Sequence, residues 1–522
     1  MTLLALALRV THLGRSLFTD ETYSLALAQR GFGHMFGLFG YEANGTPYPL
    51  VLWPLIRLLG TSETVLRAPA VLAGAASVPA LWWAAKRLGY RDAVALGAAG
   101  LLAVNPMAVW YSQEARPYAL VMLAACLAFG ALPGLLASPT PATGAQAGNR
   151  TRNSTRAMLG YVAAMALLGY SDLLALPIAL PAQWLMARRS GREGMRRWLW
   201  SLAAVLVCCI PLLVAAMIAR SRRNALYWLP KLSRSLVEGA VQEFTGGLSG
   251  VSAVRWATVL AVVVLVAAAW WYRRAVALNK LAVPALWGLA PPALLLAVSA
   301  VEPVFWPRYA ILALPGLCLL VAEAAGLLLG RERGPGRGRA ASAGAALAVA
   351  CLVAVTAAGL VGDARQQSVL QESWPPTVAW LRAERLPREA VMVDNALVLP
   401  SLGYYDPAFR APDGVVVVQE WHDRPLPAGF VGYRDRTSYG SVPIGPPSVA
   451  SFKELAKRGG GVWLVVSEVD ERLQEDPRTG AAVAWARQHC QIRGRASVGV
   501  WILHATGCST SSARTGGDSG ST

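Results

Sequence analysis

What most constrains this chain is a succession of apolar runs long enough to cross a membrane. Eight of them, at about residues 65–85, 93–111, 117–137, 198–219, 253–272, 281–301, 305–330 and 340–361, match the roughly 20 residues a helix needs to span a hydrocarbon core of about 30 Å. Three shorter segments, 1–17, 157–170 and 173–187, bring the expected total to about eleven spans. Backbone in lipid must satisfy its own hydrogen bonds, so such runs fold as helices. Composition agrees: of 522 residues 55% are hydrophobic and 15% charged, with a mean hydropathy of +0.41, far more apolar than a soluble globular chain. The expected class is a polytopic α-helical membrane protein.

The basic residues orient it. They cluster at Lys86, Arg87 and Arg91; at Arg150, Arg152 and Arg156; at Arg188, Arg189, Arg192, Arg196 and Arg197; at Arg273, Arg274 and Lys280; and at Arg331, Arg333, Arg337 and Arg339. Each cluster follows an even-numbered span, so the positive-inside rule places all of them, and the amino terminus, in the cytoplasm. Residues 18–64, 112–116, 171–172, 220–252, 302–304 and everything after about 362 are then outside. The expected location is the plasma (inner) membrane. A net charge of +18 becomes a topological signal, and no nucleic-acid partner is expected from it. The first segment is short and carries Arg9 and His12. Either it is tilted, with these residues snorkelling, or the chain begins further upstream.

Three parts follow: a transmembrane domain over 1–361 with an outer loop at 18–64, a soluble outer domain over 362–508, and a low-complexity tail over 509–522. Residues 138–156, rich in Ser, Thr, Pro and Gly, read as a flexible inner loop, and the sequon at Asn44 lies on the outer side. Beyond 362, strands are expected at Ala390–Val393, Val415–Val418, Val462–Val466 and Val498–Leu503, with helices at Val378–Glu384, Ser448–Arg458 and Ala481–His489. That is a small α/β domain. Cys490 and Cys508 are its only cysteines, and an oxidising exterior would let them pair.

Charged groups gather at the outer ends of the spans. Asp20 and Glu21, in Phe18-Thr19-Asp20-Glu21-Thr22-Tyr23-Ser24, follow the first apolar segment. Carboxylates at a membrane boundary lose hydration and are retained for ion, proton or catalytic work. A second string, Tyr111-Ser112-Gln113-Glu114-Ala115-Arg116-Pro117-Tyr118, sets a carboxylate and a guanidinium at an outer turn; for that string alone a simple helix-end ion pair and a functional role weigh equally, and its coincidence with the first pair on the same side raises the functional reading. Arg308 and Tyr309 enter a late span, Arg67 lies near an outer span end, and Arg220, Arg222, Arg223, Lys231 and Arg234 form an outer basic loop against the charge rule. For that loop, contact with lipid headgroups is the plainer reading. A guanidinium at a span end holds phosphate oxygens well.

Outer carboxylates with outer arginines suit glycosyl transfer from a lipid-linked sugar phosphate. Asp20 or Glu21 would take the proton of an acceptor hydroxyl attacking the anomeric carbon. Arg308, Arg67 or Arg116 would stabilise the departing polyprenyl phosphate. One displacement of this kind inverts the anomeric configuration.

The acidic pair after the first span, the string Tyr111 to Tyr118, Arg308-Tyr309, and Gly60-Thr61-Ser62-Glu63 with Leu66-Arg67-Ala68-Pro69 resemble glycosyltransferase family 39. These are GT-C enzymes dependent on polyprenyl-phosphate sugars, similar to protein mannosyltransferases and lipid A aminoarabinose transferases. The resemblance covers residues 1 to about 330. It implies Asp20 as the base, Glu114 as a second acidic site residue and Arg308 as a donor-phosphate ligand, with Glu21, Tyr111, Gln113, Arg116, Arg67 and Tyr309 around them. It also implies an amphipathic or re-entrant helix over Gly45–Gly60. The chain departs from the family at Thr46-Pro47-Tyr48-Pro49 and Tyr170-Ser171-Asp172, so the sugar does not carry over. Expected partners are a polyprenyl-phosphate sugar donor, a protein, lipid or glycan acceptor, and membrane lipids. Asp20, Glu21, Glu114 and Asp172 can in principle hold a divalent ion. Arginines neutralise a single phosphate without one, so no cofactor and no obligatory metal are expected. A secondary transporter or lipid flippase is the rival, but no clear repeat is seen; a catalytically inactive scaffold is a third reading.

Overall fold

The computed structural model describes residues 1–29, 47–137, 145–222, 229–247, 252–272, 274–329, 337–370, 372–387, 389–393, 398–409, 415–417, 452–453, 455–457, 460–467, 477–497 and 499–509. The Asn44 sequon, Arg223 and the tail beyond 509 lie outside these residues. The chain forms two compact units, one of Met1–Leu13 with Phe39–Gln366 and one of Gly14–Leu38 with Gln367–Thr522. The first is helical and the second is built on a sheet.

In the helical unit, five helices are long and apolar enough to cross a membrane: Glu63–Arg87, Tyr118–Leu136, Asn279–Ser299, Pro307–Leu329 and Ala348–Arg365. A sixth span is formed if Gly191–Cys208 and Ile210–Met217, bent by 57°, count as one. Pro47–Leu59, Asp92–Val104 and Thr258–Trp271 are apolar but shorter. Leu72, Leu96, Val207, Leu260, Val263 and Trp271 face outward, where lipid rather than water would cover them.

Several runs are interrupted. The run expected over 93–111 is two helices, Asp92–Val104 and Pro106–Tyr111, parted at Asn105. Pro106 cannot donate into the preceding helix and disfavours helical backbone before it. Asn105 instead caps the new helix, accepting from the Ala108 amide at 2.9 Å, as Asn at an N-cap does. The expected inner loop is corrected over 145–156, which continue as helix into Ala145–Ser171. Pro47–Leu59 is helical, as the resemblance implied.

Arg9 does not snorkel. It is fully buried at the end of the first helix, Thr2–Arg9, and donates to the Ala5 carbonyl at 3.1 Å, the Ala103 carbonyl at 2.9 Å, the Leu102 carbonyl at 3.4 Å and Ser112 Oγ at 3.1 Å. The guanidinium thus occupies the orphan carbonyls at the end of Asp92–Val104, which no intrahelical amide can reach.

Elsewhere two helices touch backbone to backbone. A Cβ on Gly316 would lie 2.6 Å from the Gly288 amide and 2.7 Å from the Trp287 carbonyl carbon, the small-residue packing through which membrane helices approach closely. Gly316→Ala is expected to cost about 1–3 kcal/mol by overpacking and to lower the melting temperature in detergent. Gly97→Ala, whose Cβ would meet only Ala322 Cβ at 3.6 Å, should leave it unchanged.

The sheet unit holds five strands, β1 Ala390–Val393, β2 Val415–Val417, β3 Gly461–Ser467, β4 Gln491–Ser497 and β5 Val500–Thr506, in the order β2-β1-β3-β5-β4. β1 runs parallel to β2 and β3, while β5 runs antiparallel to β3 and β4. One core contains Met392, Phe452, Val462, Leu464, Val466 and Leu503. Cys490 and Cys508 form a disulfide at its edge. β4 lacks a buried apolar run because Arg493, Gly494 and Arg495 place it at an exposed edge, and Gly499, at φ 65°, turns it into β5.

Residues 14–38 were expected with the transmembrane domain and instead belong to this second unit. Hydrogen bonds explain the membership. The Leu17 amide donates to Tyr405 Oη at 2.7 Å and the Trp374 amide to Ser16 Oγ at 3.1 Å. Thr22 and Ser401 hydroxyls lie 2.8 Å apart.

Candidate functional site

The expected site residues divide between the two units. In the sheet unit, Asp20 and Glu21 occupy the first turn of the helix Thr19–Gln29, where helix-end amides favour negative charge. Their environments differ. Glu21 is fully buried, and its Oε2 accepts from the Phe18 amide at 2.8 Å, closing the helix entry. Asp20 remains partly exposed. The turn is anchored by an acid that sequence reasoning passed over: Glu372 Oε2 accepts from the Thr19 amide at 2.9 Å, from Thr19 Oγ1 at 2.5 Å and from Trp374 Nε1 at 2.8 Å.

In the helical unit, the string around Glu114 links two helices, Pro106–Tyr111 and Tyr118–Leu136. Glu114 Oε1 accepts from Trp110 Nε1 at 2.7 Å. Tyr111 packs its ring edge-on to Tyr118 at 5.2 Å and donates its hydroxyl to Glu243 Oε2 at 3.2 Å. Arg308, in the first turn of the 3₁₀ helix Pro307–Ala313, holds its guanidinium carbon 5.4 Å from the Tyr118 ring and 6.0 Å from that of Trp306. Such faces attract a guanidinium through the ring quadrupole. Tyr309 follows it, half-buried.

Glu243 was not foreseen. It sits on Arg234–Gly246, a helix capped by Ser233 Oγ accepting from the Leu236 amide, and this helix packs against both Pro106–Tyr111 and the 3₁₀ turn of Arg308. The Asn105 amide side chain fastens it, donating to the Phe244 carbonyl at 3.3 Å. In sequence, Leu236, Ala240 and Glu243 share one helical stripe, so a carboxylate at an apolar-stripe position was the available signal. Burial pushes the Glu243 carboxyl up to about 7; Glu114 and Asp363 raise it further, while the Tyr111 hydrogen bond and Arg308 oppose the rise.

The other expected ligands hold backbone. Gln113 Nε2 donates to the Leu8 and Thr11 carbonyls, both at 3.0 Å, and Arg67, fully buried, donates to the Leu13 carbonyl at 2.7 Å. Both therefore fix the end of the first segment. Arg116 is half-buried in the turn closed by its own amide on the Glu114 carbonyl at 2.7 Å. Asp172 caps the turn after Ala145–Ser171, accepting from the Leu174 amide at 3.0 Å, and burial pushes its carboxyl up to about 7. Lys231 and Arg234 are exposed, the latter paired with Glu238 at 2.8 Å; the side chains of Arg220 and Arg222 lie outside the described residues.

No protein-family model matches the sequence, and no curated protein is matched by it. Solved structures are matched over nearly the whole chain. ArnT from Cupriavidus metallidurans in the apo state is 14% identical with a TM-score of 0.56, covering 96% of each chain. The same protein bound to undecaprenyl phosphate is 15% identical at 0.54, again covering 96% of each. The arabinofuranosyltransferase AftD from Mycobacteria is 17% identical at 0.51, over 97% of this chain and 40% of that longer one. The fold of this chain is that of the GT-C membrane enzymes.

Glu243 gives the site a pH dependence whose sign is fixed. Below about pH 7 it carries its proton, and above that it adds negative charge beside Arg308. An anionic ligand then competes less well for the guanidinium, so its apparent dissociation constant is expected to rise a few-fold as pH increases from 6 to 8. Glu243→Gln, which keeps the shape and loses the ionisation, should flatten that rise; an identical pH profile in the variant would refute the assignment.

Proposed function

We propose that this chain transfers a sugar from a polyprenyl-phosphate donor to an acceptor hydroxyl, with inversion, at the extracytoplasmic face of the plasma (inner) membrane. The observation that supports it is the set of groups at the turn from Tyr111 to Tyr118: a guanidinium held by aromatic faces, with two carboxylates bonded to Trp110 and Tyr111, within a GT-C fold. The remaining apolar helices bring the span count to about eleven, and the arginine clusters face the cytoplasm.

The reaction forms a bond between the acceptor oxygen and the anomeric carbon and breaks the bond from that carbon to the phosphate oxygen, which leaves with the electron pair. Asp20 is the proposed base: partly exposed and oriented by the helix start. Glu21 is a positioning residue, since its carboxylate is spent on the Phe18 amide. Arg308 meets the charge that grows on the leaving phosphate, with Arg116 beside the same turn. Glu114 and Glu243 set the field at Arg308. Arg67 and Gln113 support this framework by holding the end of the first segment, and Tyr309 follows Arg308 in the same 3₁₀ helix. The sugar and the acceptor follow from donor trials.

Membranes containing the full chain, given radiolabelled polyprenyl-phosphate mannose or, separately, a pentose donor, are expected to consume one of them. Asp20→Asn should lower turnover by about 10²–10⁴-fold, the usual contribution of a general base, while protein level and melting temperature stay unchanged. Full turnover in that variant would remove Asp20 from the chemistry. Uptake of a solute into sealed vesicles without donor consumption would favour a transporter.

A further inference from the structure

At the ends of the helices that carry the arginine clusters, a cavity of about 450 Å³ opens in the helical unit. Three cations from three helices line it: Arg87 at the end of Glu63–Arg87, Arg189 at the end of Leu180–Arg189, and Lys280 on Arg274–Ser299. No carboxylate is among the lining residues, and none of the three cations is ion-paired among the described residues. Nearby cations are answered differently: Lys86 pairs with Asp92 at 2.8 Å and Arg197 with Glu193 at 3.0 Å.

The three are held in place by backbone rather than by opposite charge. Arg87 Nε donates to the Gly130 carbonyl at 3.4 Å, Arg189 to the Asn279 carbonyl at 3.2 Å and Lys280 Nζ to the Gly89 carbonyl at 3.3 Å. Tyr90 Oη fixes the Lys280 backbone, donating to its carbonyl at 2.7 Å. Each cation keeps N–H donors to spare, and a neutral carbonyl does not cancel its charge. Below the charged rim the wall is apolar, formed by Pro133, Leu136 and Val283. Trp82 and Trp184 are exposed on the helices that bear Arg87 and Arg189, as aromatic residues at a headgroup level are.

We propose that this cavity binds the phosphate headgroup of an anionic glycerophospholipid, with the three cations on the phosphate and the apolar wall against the first acyl carbons. Glu323 is within electrostatic reach of Lys280 but is not in the lining, and three cations set between helices with no carboxylate facing the cavity match such a headgroup in charge and in depth. The site shares no residue with the turn around Glu114, so it stands or falls apart from the proposed reaction.

Native mass spectrometry of the full chain, purified in neutral detergent and supplied with phosphatidylglycerol, phosphatidylcholine or inorganic phosphate, tests it. Phosphatidylglycerol should bind in preference to phosphatidylcholine, and each of Arg87→Gln, Arg189→Gln and Lys280→Gln should weaken it by about five-fold. Lys280→Arg should restore it. Ser190→Asp leaves all three cations and their carbonyl partners in place, puts a carboxylate in the cavity, and should abolish the preference in protein that melts like wild type. Equal binding of the two lipids, retention of the preference in Ser190→Asp, or displacement of phosphatidylglycerol by inorganic phosphate at equal concentration would overturn the proposal.

Discussion

The helical unit depends on one buried guanidinium. Arg9 answers the last carbonyls of Asp92–Val104 and ties Ser112 to the first helix. A charge taken out of water is tolerated only when its donors are satisfied, and here the carbonyls left over by a helix end are the acceptors. That helix has to end, because Pro106 follows. The break it causes lets Pro106–Tyr111 leave at a new angle, and the turn bearing Glu114 and Arg116 follows from there. Gln113 repeats the device, bonding the carbonyls of Leu8 and Thr11. The first short segment thus clamps the loop that carries Glu114 and Arg116.

Within each unit, carboxylates and cations serve distinct ends. Glu21 and Glu372 accept from amides and hydroxyls at the start of Thr19–Gln29, so their charge is used to fix backbone. Glu114 accepts from Trp110 and Glu243 from Tyr111, and Glu243 lies in the field of Arg308. Arg67 donates to a carbonyl, while Arg308 lies near the aromatic faces of Tyr118 and Trp306 and within the field of Glu243.

Much of this was legible because the signals were local. Apolar length marked the long helices, and the valine-rich runs marked β1, β2, β3 and β5. Pairing of Cys490 with Cys508 followed from their being the only two cysteines beyond the spans. Illegible features needed partners far away in sequence. Arg9 looked like a snorkelling residue because the carbonyls it meets are 93 and 94 positions on. β4 was missed because an edge strand with Arg493 and Arg495 shows no burial pattern. The membership of residues 14–38 in the sheet unit rests on Tyr405 and Glu372, some 350 to 390 positions away. Glu243 was within reach, since a carboxylate on the stripe of Leu236 and Ala240 is costly without a partner.

The central claim is that a lipid-linked phosphate is held by Arg308. Equilibrium binding of undecaprenyl phosphate, without any sugar, to the purified full chain tests it most directly. The account predicts saturable binding by wild type and binding weaker by at least about ten-fold in Arg308→Gln, the loss of one charge-assisted contact, at an unchanged melting temperature. Equal affinity in the two proteins would contradict it.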